Sequence, residues 1–225
     1  MILKDKCLIL HMPKTGGVFI RLLLQKHYGD DVTLASGKPF GDPSARWEQH
    51  HALSDVSRWR RRKLSTFGLV RNPWDWYVSW YHFFAMYDHR PPHFMTVSKD
   101  KTLDFAEFMK NLYNYPPGSD EYEYNSFATK YYRIFGCSPK KPINPKVVMG
   151  RYETIHDDLH AFLSTVGVSQ ECLDDIHGFR RMNNSRHDHY SNYYTPELAD
   201  LVYEHNKPII DAFGYELESP ASRGN

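Results

Sequence analysis

Pro13-Lys14-Thr15-Gly16-Gly17 follows an apolar run, Leu8 to Met12 preceded by Cys7, and leads into Val18, Ile20, Leu22, Leu23 and Leu24. Read as strand, turn and helix, this arrangement aims backbone N–H groups and the positive end of a helix dipole at one point. Glycine lets a ligand come close to the backbone. Lys14 adds a cation and Thr15 a hydroxyl, so the chemistry is anion binding, with phosphate or sulfate as the natural guest. The loop is not a Walker A sequence, in which Lys follows the last glycine; here Lys14 precedes both. The plain alternative is a glycine-containing turn with a surface lysine.

A second group has the same character. Val70-Arg71-Asn72-Pro73 closes another apolar run, and Ser79 follows eight residues after Arg71. In a parallel sheet both turns fall at the carboxyl edge, where α/β proteins bind ligands. Arg71 offers forked donors and Ser79 a hydroxyl to one phosphate. The alternative is an Arg71 paired with Asp75 above a small buried serine. His50 and His51 lie between the two groups, with Glu48 nearby; in the plain reading both are solvated loop residues. His11, at the end of the first strand, reads as a core histidine that could also line the site.

The elements that must position these residues alternate. Strands are expected at Leu8–Met12, Thr66–Val70 and Lys146–Gly150, with helices after each. Asn72 caps and Pro73 opens an aromatic helix to Tyr87, and Ile155–Val166 follows the third strand. Thr195-Pro196-Glu197 starts a last helix, kinked at Pro208 and ended by Gly214. Leu53 and Val56 suggest a short helix ended by the basic run Arg58 to Lys63. Thr102 caps a helix with Leu103, Phe105, Phe108 and Met109, residues 121–135 form another, and 29–49, 88–101 and 178–194 are loops. The pattern predicts one α/β domain over residues 1–225, with a mainly parallel central sheet flanked by helices on both faces. The aromatics of the helix after Pro73 cover all its faces and read as packing, with one or two available to line a ligand cleft.

Composition narrows the function. At 225 residues and 41% hydrophobic the chain affords a core and is not disordered. Twenty-eight Lys+Arg against 27 Asp+Glu leave a net +1, which argues against a nucleic-acid partner. No apolar run approaches the roughly 18 residues of a membrane span, and the opening segment lacks a signal peptide's apolar stretch and cleavage site. Cys7, Cys137 and Cys172 have no metal spacing, and the 13 histidines are scattered, with His187 and His189 together in a polar stretch. The expectation is a cytoplasmic protein without metal or disulfides. The basic run Arg58 to Lys63 reads as a solvated turn or as an attractor of an acidic ligand.

These motifs resemble a known family. Pro13-Lys14-Thr15-Gly16-Gly17 is similar to the sulfotransferase loop that holds the 5′-phosphosulfate of PAPS (3′-phosphoadenosine 5′-phosphosulfate), and Arg71-Asn72-Pro73 with Ser79 to that family's 3′-phosphate motif. Arg151-Tyr152-Glu153, Asn184-x-x-His187-x-x-Tyr190, Tyr193 to Leu198 and Phe213-Gly214-Tyr215 extend the resemblance over most of the chain; residues 88–145 match weakly. It is closest to compact bacterial and carbohydrate-type sulfotransferases. It implies a P-loop-like fold and transfer of a sulfuryl group from PAPS, without metal, to a hydroxyl of a carbohydrate or other small metabolite, releasing PAP. Lys14 would contact the 5′-phosphate and the bridging oxygen. Thr15, Gly16, Gly17 and Val18 would supply loop donors. Phe19 and Tyr152 are adenine candidates, Arg71 and Ser79 would hold the 3′-phosphate, and Arg186 would close over it. His50, with Leu53 and Val56 after it, resembles the family's His-x-x-Leu-x-x-[Ile/Val] pattern and is the preferred base, with His51 next and Glu48 third. The alternatives are a P-loop-type kinase, disfavoured by the early lysine and the missing acidic metal site, and a nucleotide-binding module without chemistry, disfavoured by the intact Lys14 and the histidine pair.

Overall fold

The strands are β1 (Ile2–Leu3), β2 (Cys7–Leu10), β3 (Val32–Thr33), β4 (Ser65–Val70) and β5 (Val148–Arg151). The helices are α1 (Gly17–Tyr28), α2 (Arg58–Lys63), α3 (Pro73–Met86), α4 (Pro92–Val97), α5 (Phe105–Asn114), α6 (Asp120–Asn125), α7 (Phe127–Phe135), α8 (Ile155–Thr165), α9 (Gln170–Gly178) and α10 (Pro196–Phe213). The computed structural model describes residues 1–40, 42, 50–86, 88, 91–178 and 187–218. By its contacts the chain divides into two compact units, residues 1–71 with 131–184, and residues 72–130 with 185–225.

The first unit holds the sheet, ordered β3-β1-β2-β4-β5 among the described residues. The expected strands are its parallel centre: β2 pairs with β4, Leu10 opposite Gly68, and β4 with β5, Val70 opposite Arg151. Every residue of β2 is buried, as its unbroken apolar run demands of a strand covered on both faces. Two short strands extend the sheet beyond expectation, β1 pairing antiparallel with both β2 and β3. At two residues each, they are too short to show an alternating pattern.

Cys7, Ile9, Phe67 and Leu69 face a core made with Phe19, Ile20, Leu23 and Leu24 of α1, Leu159 and Phe162 of α8, and Cys172 and Ile176 of α9. Phe67 and Phe162 stack at 4.7 Å. On the opposite face Phe135, the last residue of α7, lies against bare backbone: a Cβ on Gly68 would stand 2.3 Å from its ring. The parallel sheet is thus flanked by helices on both faces, an α/β fold. Helix α9 was not anticipated; its Cys172, Leu173 and Ile176 bury one side. Burial pushes the thiols of Cys7 and Cys172 up to about 12 and about 11, so these cysteines are packing residues.

Several boundaries differ from the sequence reading because a polar side chain restarts the chain. The basic run forms its own helix, α2, where Ser57 accepts from the Arg60 N–H; Leu53–Asp55 before it is only a 3₁₀ turn, with the Asp55 carboxylate accepting from the Ala52 N–H at 2.7 Å. Residues 92–97, expected in a loop, form α4 with Pro92 in its first turn. Asp104, not Thr102, caps α5.

Residues 121–135 do not form one helix. The turn between α6 and α7 lets the Tyr77 hydroxyl accept from the Phe127 N–H at 3.0 Å. Trp76 and Trp80 stack at 4.9 Å. The Trp80 indole N–H donates to Asn125 Oδ1, and Asn125 Nδ2 donates to the carbonyls of His93 and Glu121. The aromatics of α3 are therefore largely structural. Asn72 starts α3 by accepting from the Trp74 N–H, and donates to the Glu216 carbonyl at 2.8 Å. Helix α10 continues through Pro208 and ends at Gly214, whose φ is 61°.

Gly68→Ala should overpack the Phe135 contact and destabilise the protein by about 1–3 kcal/mol, read as a lower urea midpoint. Adding Phe135→Leu should recover part of the loss; an unaltered midpoint in the single variant would contradict this packing.

Candidate functional site

The turn between β2 and α1 is built by its own polar groups. Thr15, 1% exposed, donates from Oγ1 to the Met12 carbonyl at 2.8 Å, so its hydroxyl proton holds the loop. Lys14 and Gly16 both take left-handed backbone, with φ of 65° and 81°. For lysine that is a strained conformation, which the surrounding structure must impose. Among the described residues no side-chain hydrogen bond caps α1, and no acid lies in its first turn. A helix start of this kind offers its N–H groups and the positive end of its dipole to an anion.

The two glycines are also packing requirements. A Cβ on Gly17 would stand 1.9 Å from the His11 ring, and one on Gly16 2.6 Å from Ile155 Cδ1 and 3.5 Å from the Tyr152 ring. The sequence assigns them to close ligand approach and His11 to the core; the His11 imidazole in fact covers the first residue of the helix.

At the ends of β4 and β5, Arg71 and Tyr152 join the loop. Arg71 is 7% exposed; it donates from Nη1 to the Lys14 carbonyl at 2.8 Å, and its guanidinium lies 4.3 Å from the centre of the Tyr152 ring. The Tyr152 N–H in turn donates to the Val70 carbonyl at 2.7 Å. Burial, and then the nearby Arg71 guanidinium, lower the Lys14 ammonium from the usual lysine range to about 7. Two partly or wholly buried cations beside a helix amino terminus suit a guest with more than one negative charge.

The histidines gather behind this loop. His11 and His50 have ring centres 4.6 Å apart. Burial, then the neighbouring His50, hold the His11 pKa well below the usual histidine value, so His11 is a neutral ring. His50 Nδ1 lies 3.1 Å from the His11 carbonyl oxygen. A carbonyl only accepts, so Nδ1 carries the hydrogen, and a neutral His50 then has its lone pair on Nε2. That is the tautomer a base needs. His51 is more deeply buried, at 7% exposed.

The structure brings together Lys14, Thr15, Gly16, Gly17, Arg71, Tyr152 and His50 in the first unit, and leaves Val18 half-buried on the first turn of α1. It removes Phe19 from the adenine candidates: the side chain is 2% exposed in the core, with its ring against His156, because position 19 falls on the helix face turned to the sheet. Ser79 is buried on α3 of the second unit. Arg186 and Glu48 lie outside the described residues. His187 bonds the Asp188 carbonyl and His189 the Ser191 hydroxyl. Among the described residues no group of His, Cys, Asp or Glu could hold a metal ion, and no helix is long and apolar enough to cross a membrane.

Comparison with known proteins fits this geometry. No curated protein matches the chain. The model of the sulfotransferase family matches residues 4–216, through both units and every motif described above. The match covers nearly the whole chain, and the chain belongs to the sulfotransferase family.

Proposed function

We propose that the protein transfers the sulfuryl group of PAPS to a hydroxyl of a carbohydrate or other small metabolite and releases PAP. The observation that carries this reading is the pair of cations Lys14 and Arg71, held at the ends of adjacent parallel strands beside the uncapped start of α1. PAPS supplies an activated sulfuryl group and two phosphate-bearing ends. Arg71 holds the 3′-phosphate; the N–H groups from Gly16 to Val18 and the Lys14 ammonium hold the 5′ end; Tyr152 borders the adenine.

Sulfuryl transfer resembles phosphoryl transfer, with a loose, in-line transition state and charge growing on the leaving oxygen. Lys14 faces that oxygen and follows its charge. An ammonium with a pKa of about 7 gains most from such an anion, because the anion offsets both its burial and the repulsion from Arg71. His50 Nε2 accepts the proton of the acceptor hydroxyl, while its Nδ1–H, donated to the His11 carbonyl, fixes the ring.

Arg71→Ala should weaken PAP binding by about 1.5–3 kcal/mol, the range for hydrogen bonds to a charged group, measured by calorimetry. Unchanged affinity in a folded variant would remove Arg71 from the 3′-phosphate.

Lys14 makes binding depend on pH. Above about pH 7 the unbound ammonium loses its proton, and the phosphates are already dianionic, with second pKa values of about 6. PAP binding must then take up a proton, so affinity should fall by as much as about tenfold per pH unit above 7. Lys14→Met should flatten that dependence and lose turnover by about 10²-fold or more. Because the folded-state pKa lies below the unfolded value of 10.5, the stability cost of Lys14 is fully present below pH 7 and relieved as pH rises toward 10.5. Lys14→Met should therefore raise the melting temperature most at pH 6. An equal effect at pH 6 and pH 10 would refute the buried cation.

His50→Ala should lose about 10²–10⁴-fold in turnover, the usual worth of a general base, and keep PAP affinity. His51→Ala should lose less. Steady-state rates of the two variants with one acceptor decide the assignment; a more damaged His51→Ala would move the base to the neighbouring ring.

A further inference from the structure

The basic run in α2 has no part in the anion site. Strands β4 and β5 run parallel with Phe67 opposite Val148, so the chain entering β4 from α2 and the chain entering β5 from residues 138–147 reach the sheet at one edge. This is the amino-terminal edge, away from Lys14 and Arg71 by the length of a strand, about 20 Å at ~3.3 Å per residue.

Helix α2 exposes Arg58, Arg61, Arg62 and Lys63. Between them stands Trp59, 63% exposed, with Lys63 Nζ 4.0 Å from its ring centre. The helix is anchored on its inner side, where Arg60 Nη1 donates to the Ala35 carbonyl at 2.9 Å. The approach to β5 exposes Lys140, Lys141 and Lys146 together with Ile143 at 45% and Val148 at 55%. It too is fixed, by the Tyr131 hydroxyl on the Pro142 carbonyl and by Asn144 Nδ2 on the Phe135 carbonyl. Neither 56–66 nor 133–151 contains an Asp or Glu. In a chain of net charge +1, this edge is a local excess of cations. It also carries three of the five large apolar side chains that stand exposed among the described residues.

We infer that this edge docks the protein on an anionic lipid bilayer. The cations match the negative surface of such a membrane. Trp59 sits as tryptophan does at the headgroup level, and Ile143 and Val148 enter the acyl boundary beside it. Charge alone would serve an acidic polysaccharide equally well. The exposed aliphatic side chains decide for lipid, because a glycan or nucleic acid gives them nothing to bury against. The glycine loop and Arg71 then sit at the far end of the strands.

The test is sedimentation of the whole chain with phosphatidylcholine vesicles, with and without phosphatidylglycerol. Binding is expected only to the anionic vesicles, with reversal by salt as screening shortens. Arg61→Glu with Arg62→Glu should lower partitioning by at least about 25-fold, at about fivefold for each cation lost. Trp59→Ser and Ile143→Ser, which leave the charge unaltered, should also weaken it, and lipid-borne bromine should quench Trp59. Lys140→Glu with Lys141→Glu reads the same surface from its other segment should the α2 variant fail to fold. The inference is overturned if the parent chain ignores anionic vesicles. It is equally overturned if the apolar variants bind like the parent while a soluble acidic polysaccharide displaces all of it, an outcome that assigns the edge to a glycan.

Discussion

Arg71 reaches from the end of β4 to the carbonyl of Lys14, and the rest of the site depends on that bond. The guanidinium is buried, stacked on Tyr152, and satisfied in part by backbone from the neighbouring strand's loop. Together with the Tyr152 N–H on Val70, it ties together the carboxyl ends of three adjacent parallel strands. One consequence is that Lys14 is held close to a second cation with its backbone in the left-handed region. Neither condition is comfortable for a lysine. Both persist because sheet register places the residues, and sheet register is set by apolar burial far larger than the local strain.

The end of the first strand organises the chemistry on its other side. His11 lies over Gly17, which only a residue without Cβ permits. Its ring is neutral because it is buried beside other basic groups, so it packs there as an uncharged plate. Its carbonyl orients His50 and sets that ring's tautomer. A single residue thus couples the position of the anion loop to the state of the candidate base. The second unit shows the same economy in its polar groups: Asn72 and Asn125 are buried amides that terminate or bridge helices through several hydrogen bonds each, which is how an aromatic-rich core tolerates them.

The two edges of the parallel strands differ in electrostatics as well as in shape. At the carboxyl edge a few cations are buried and converge, which suits a compact anion held by specific hydrogen bonds. At the amino-terminal edge the cations are exposed, spread over two segments and mixed with apolar side chains, which suits an extended surface. Net charge near zero conceals both.

Much was legible in the chain itself. Unbroken apolar runs marked the three central strands, since strands covered on both faces carry no alternation. Asn72-Pro73 and Thr195-Pro196 marked helix starts, because capping is local chemistry, and the apolar runs before the glycine loop and Arg71 placed both at one edge of the sheet. Other features were set only by contacts between residues distant in sequence. The two-residue strands β1 and β3 exist because neighbours supply their partners. Helix α2 and the break at Ser126 depend on caps and on the hydroxyl of Tyr77. Phe19 became core rather than an adenine platform because the rotation of α1 on the sheet decides which face is covered. The lowered pKa of Lys14 comes from burial and from Arg71, which lies 57 residues away in sequence. Residue type states what a side chain is able to do. Desolvation and approach distance, which decide what it does, are properties of the packed chain alone.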